Sequence, residues 1–128
     1  MTKLKRWVLG GLLASTVVFG IQPGFGEDDF EAWLNKVYLR TNLNHATKHA
    51  YVYVDQTSWH EGSADWQVRA IPRFICPYTV DPRFIKFDLP LTYAVYSVPW
   101  QGGVPTKVIE GKITACQKGE EQLPSSWR

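Results

Sequence analysis

Thiols are scarce in this 128-residue chain, which has two cysteines, Cys76 and Cys116. Two thiols are too few for a thiolate metal site, and although His45 and His49 have the spacing of a possible metal clip, nothing in the sequence brings His60 and Glu61 near to complete it. Long hydrophobic runs are missing as well. The longest, residues 7–21, spans 15 positions and includes three glycines, short of the about 20 that an unbroken membrane span needs. Acidic residues are absent from residues 1–26, and excess positive charge is absent from the remainder, where 11 basic and 12 acidic side chains nearly cancel. No nucleic-acid partner is expected, because one would leave a basic footprint. Gly-x-Ser-x-Gly, His-Glu-x-x-His and phosphate-cradling glycine loops do not occur, so no catalytic or cofactor motif is present and no cofactor is expected. Internal repeats are lacking too. What remains is 45% hydrophobic and 20% charged, the composition of one globular domain.

The first 26 residues have the anatomy of an export signal. Lys3, Lys5 and Arg6 form a basic start, residues 7–21 an apolar run, and Pro23 breaks it. Gly24-Phe25-Gly26 then puts small residues at −3 and −1 of a cut after Gly26, as in a Sec-type signal peptide. No cysteine lies near that cut to carry a lipid. An uncleaved anchor helix is the alternative. Cleavage would leave residues 27–128, periplasmic or secreted, with no stable membrane insertion afterwards. In such an oxidising compartment Cys76 and Cys116 are expected to form a disulfide.

One helix and then strands are expected. Asp28 suits an N-cap and Glu31 sits three residues on. Phe30, Trp33, Leu34, Val37, Tyr38 and Thr41 follow helical spacing, which predicts an amphipathic helix over 28–40. From residue 50 the period becomes two. Strands are predicted at 51–55, at 65–71 resuming through 74–76, at 84–89, at 91–98 and at 107–117. Pro90 forces a bulge, bend or edge. Pro99–Pro105 reads as a hairpin loop with a Gly102-Gly103 turn, and residues 118–128 as a flexible tail. The disulfide constrains this layout. Strands once removed in a sheet lie about 9.5 Å apart, whereas disulfide-linked Cα atoms lie within about 7 Å. Either the cysteines sit at frayed strand ends, or the sheet is split or folded over. The expected fold is α+β: the N-terminal helix packed on a curved antiparallel sheet of four or five strands within residues 27–117. A small β-sandwich with an appended helix is the second choice.

Candidates for chemistry are few. His45 and His49 are four apart, too few ligands for a metal, and no metal site is expected. His60 and Glu61 can in principle act as base and acid, but Ser58 and Ser63 are ordinary loop serines and no oxyanion-stabilising loop accompanies them. Tryptophan is more informative. Trp33 and Trp66 have core periodicity, whereas Trp59, Trp100 and Trp127 lie in turn or tail segments. An exposed indole is apolar surface that a protein usually hides or uses, so these three are the candidate contact residues, with plugging of a small core as the competing role.

The sequence therefore points to a disulfide-stapled, exported, non-enzymatic binding module. It would serve as an accessory subunit of an envelope complex, or as an inhibitor or immunity-type partner of another exported protein. The alternatives are a small hydrolase using His60 and Glu61, and a carbohydrate or peptidoglycan binder using loop tryptophans. The oligomeric state is not legible.

Overall fold

The computed structural model of the chain describes residues 27–80, 88–124 and 127. The chain divides into two compact units, Met1–Ala32 and Trp33–Arg128. The described part of the first unit is the opening of helix α1 (Glu27–Val37), where Phe30 is buried. Residues 1–26, where a signal peptide is expected, and residues 84–87 of the strand expected at 84–89 lie outside the described residues, and Asp88 and Leu89 are not in a strand.

The second unit is built on four strands in the order β1 (Tyr38–Asn44), β2 (His49–Asp55), β3 (Leu91–Val98) and β4 (Thr106–Ile113). The sheet is mixed, not antiparallel as expected. β1–β2 and β3–β4 pair antiparallel, but the central pair β2–β3 is parallel, with Tyr53 opposite Tyr96. A parallel pair needs a crossover of a dozen residues or more. Here it contains the helices α2 (Gln56–Glu61) and α3 (Ala64–Val80).

α3 replaces the strand expected at 65–76. Ser63 begins it: its side-chain oxygen accepts the Trp66 N–H at 3.1 Å, and its carbonyl accepts the Gln67 N–H at 2.9 Å. That is an N-cap arrangement. Ala70, Ile71, Phe74, Ile75 and Tyr78 are all buried, at helical spacing. The alternation of Trp66, Val68 and Ala70 has no structural counterpart, since Val68 is 59% exposed. Pro72 and Pro77 lie inside the helix and each leaves one carbonyl without its helical donor. Two further boundaries differ from expectation. Helix α1 gives way to strand at Tyr38 instead of running to residue 40, and β4 ends at Ile113, not at 117.

One face of the sheet is the core. Ala50, Val52 and Val54 of β2 and Leu91, Val95 and Ser97 of β3 are buried on it. α3 packs against β1 and β2, and α2 against β2 and β3. Fully buried side chains such as Phe74, Ile75 and Val52 contribute about 1.5–3 kcal/mol each relative to exposure. The disulfide joins Cys76 of α3 to Cys116 beyond β4, with Cα atoms 5.9 Å apart. The spacing conflict between once-removed strands disappears, because Cys76 is on a helix and not on a strand.

Two aromatic clusters finish the core. In one, Trp33 packs on both Trp59 and Trp66, with ring centroids 6.1 and 5.5 Å away, and its indole N–H donates to the Ser58 carbonyl at 2.7 Å. Gly62 is the floor under that indole: a Cβ there would stand 2.4 Å from Trp33 Cζ2. In the other cluster Tyr38 stacks on Phe74 and on Trp127, at 5.4 and 3.9 Å. Its hydroxyl donates to Thr41 Oγ1 at 3.0 Å, and Thr41 Oγ1 donates to the Phe74 carbonyl at 2.8 Å. Each hydroxyl has one hydrogen, so the 2.6 Å contact between Tyr78 and Tyr38 has Tyr78 as donor.

Burial pushes the Tyr38 phenol well above its ordinary range. A raised folded-state pKa means that the folded state holds its proton longer than the unfolded one. The associated stability is therefore complete below about pH 10 and declines above it, by up to about 1.4 kcal/mol per pH unit for one proton. Denaturant melts between pH 7 and 11 should show a plateau followed by that fall. Tyr38→Phe should flatten most of the fall, leaving the smaller part due to Tyr93, whose phenol is also raised by burial. An equally steep decline in the variant would assign it elsewhere.

Candidate functional site

The opposite face of the sheet carries the larger polar and aromatic side chains. Alternation along β2 places His49, Tyr51, Tyr53 and Asp55 there, all half-buried and alternating with the buried Ala50, Val52 and Val54. Pairing with β3 brings Thr92, Tyr96 and Val98 onto the same face, opposite His49, Tyr53 and Asp55. β1 adds Arg40 and Asn42, opposite Tyr53 and Tyr51. β4 adds Lys107, Glu110 and Lys112. The tyrosines form a row: Tyr96 lies 6.4 Å from Tyr51 and 5.7 Å from Tyr53 between ring centroids, with planes within 30°. His49 meets Tyr51 edge-on at 4.5 Å, and the Arg40 guanidinium sits 4.3 Å above the Tyr53 ring, a cation–π contact. Lys107 donates to Glu110 at 3.0 Å, and that hydrogen bond raises the lysine's pKa.

The β3–β4 loop stands at one end of this face. The Gly102 N–H donates to the Pro99 carbonyl at 3.1 Å, closing a turn with Trp100 and Gln101 at its tip. Gly102 and Gly103 have φ of 87° and 136°, conformations that side-chain-bearing residues rarely adopt. The result is an indole 78% exposed. Exposed Val104 on the same loop and half-exposed Leu39 on β1 extend the apolar surface. Two open depressions meet at Pro99 and Trp100. One, of about 390 Å³, is bordered by Leu39, Asp55 and Val98; the other, of about 490 Å³, by Gln56, Thr57 and Gln101.

The three candidate tryptophans thus have different environments. Trp100 is on the surface. Trp59 is 3% exposed and packed on Trp33; Asp55 caps its helix by accepting the Ser58 N–H at 2.9 Å. Trp127 stacks on Tyr38 and lies 5.9 Å from Phe74, so the end of the chain returns to the core. Its indole nitrogen is buried and has no hydrogen-bond partner among the described residues. His60 is exposed on α2, and the Glu61 carboxylate receives Lys36 Nζ at 3.0 Å. His45 belongs to the β1–β2 turn and His49 to β2, on no common helix. Among the described residues no group of three or more His, Cys, Asp or Glu is placed to hold a metal ion, and no helix is long and apolar enough to cross a membrane.

The tyrosine row is the feature that sequence reasoning missed. Its signal was present in His49-Ala50-Tyr51-Val52-Tyr53-Val54-Asp55, where strict alternation puts a histidine, two tyrosines and an aspartate on one side. Compared with protein-family models, with curated proteins and with solved structures, the chain matches none.

Proposed function

We propose that the protein is a non-enzymatic binding module, exported through residues 1–26, that holds another envelope or secreted protein against the Trp100 end of its outer sheet face. The exposed Trp100 indole is the observation that carries this reading. Tryptophan, tyrosine and arginine dominate the energetics of protein contacts, and Trp100, Tyr53, Tyr96 and Arg40 lie toward one end of the face. The loop is suited to the role because Pro99 and Pro105 restrict it, so that less ordering cost falls on association. The disulfide fits an oxidising compartment, which agrees with export.

The tyrosine row supports glycan stacking as a second reading, since flat aromatic surfaces also suit sugar rings. A photo-crosslinking side chain at position 100, introduced in the protein's native compartment, separates the two. The protein-partner reading predicts one discrete adduct, absent when the same group replaces exposed Lys118. No protein adduct, together with glycan-dependent changes in tryptophan fluorescence, would replace it with the glycan reading.

A further inference from the structure

The other end of the outer face holds a different kind of surface. A notch of about 130 Å³ is lined by Thr47, Lys48, Pro90, Leu91, Thr92 and Lys112. That is room for an oxyanion and a few waters. Two lysines border it and no carboxylate does. Two other described lysines are ion-paired, Lys36 with Glu61 and Lys107 with Glu110. Lys48 and Lys112 make no ion pair among the described residues.

The notch is also fixed in place. Lys48 has φ of 51°, the left-handed region that Asn or Gly would occupy at less cost. Its carbonyl accepts the Thr92 N–H at 3.0 Å and the Thr92 hydroxyl at 3.4 Å. His49 Nδ1 and Thr92 Oγ1 are also hydrogen-bonded, 2.7 Å apart. Asn44 Oδ1 accepts the Thr47 N–H at 3.2 Å and fixes the other side of the turn. The Thr47 hydroxyl makes no hydrogen bond among the described residues, so its proton is available. A strained backbone held by this many bonds, with a cation at the strained position, suggests a use for that cation.

We propose that Thr47, Lys48 and Lys112 form a binding notch for an oxyanion, of the phosphate or carboxylate class. Two ammonium groups supply charge and the Thr47 hydroxyl supplies a directed donor. The notch lies at the opposite end of β2 and β3 from the Trp100 loop, about 20 Å away by strand rise. It does not depend on the Trp100 contact, and the two fail separately.

The test is an amide-shift titration of the oxidised full-length protein with inorganic phosphate, with acetate, and with sodium chloride matched for ionic strength. Phosphate or acetate should give saturable shifts at Thr47, Lys48, His49, Thr92 and Lys112, with millimolar affinity and the Trp100 indole unmoved. Preference between the two anions identifies a tetrahedral or a planar ligand group. Lys48→Asn, which keeps the left-handed backbone accessible, and Lys112→Gln should each weaken affinity about fivefold, and the pair together should abolish saturation. Shifts that merely follow the chloride titration, or saturation that survives in the double variant, would overturn the proposal.

Discussion

Replacing Cys76 and Cys116 together by serine is expected to lower the unfolding free energy by about 2–4 kcal/mol, a large share of the 5–15 kcal/mol typical of a small domain. The bridge spans a sequence separation of 40 residues, and the chain-entropy treatment assigns roughly 4 kcal/mol to a loop of that length. What it closes makes the effect global. The loop includes the end of α3, β3 and β4, so the bridge ties the crossover helix to the chain leaving an edge strand. Cys76 is itself fully buried, and a serine there adds a polar group to the core at further cost. Denaturant melts of oxidised protein and the double variant measure the difference. Coincident midpoints would show that the bridge constrains nothing the fold does not already fix.

Trp59→Ala is expected to cost about 3–5 kcal/mol, the range for removing a buried aromatic side chain. The indole is 3% exposed and packs on Trp33, which also packs on Trp66. Its loss opens a cavity against Trp33, whose indole rests on Gly62 and donates to the Ser58 carbonyl. A melt of this variant that matched the parent would mean the cluster does not hold α2 against the sheet.

Trp59 also shows where the sequence was legible and where it was not. Its neighbours Gln56, Thr57, Ser58, His60 and Glu61 are polar, so the segment reads as a solvated turn. The helix is six residues long, too short for a periodicity to register, and the Asp55 cap was the available signal. β2 and β3 were legible because both are rich in valine and tyrosine, which favour strands, and β2 alternates buried with half-buried positions along its length. β1 was not: Tyr38 and Thr41 extend the helical spacing of α1, and the register shift between Tyr38 and Arg40 hides the period of two. α3 was misread because Trp66, Val68 and Ala70 alternate by coincidence and Pro72 argues against a helix in any local scheme. With α3 taken as a strand, no crossover was available, and the parallel pairing of β2 with β3 could not be foreseen. The Pro99–Pro105 loop, by contrast, was legible from its own residues, because prolines and paired glycines specify a turn without help from the rest of the chain.

The contact surface at the Trp100 loop is the central claim, and Trp100→Ala, measured for both melting and partner capture, tests it most directly. The indole is 78% exposed, so its truncation should leave stability within about 0.5 kcal/mol of the parent. Partner affinity should fall about thirtyfold or more, the loss of a contact hot spot. A variant that melts far lower, or one that melts normally and still captures its partner with parental affinity, would contradict the assignment of this loop as the functional surface.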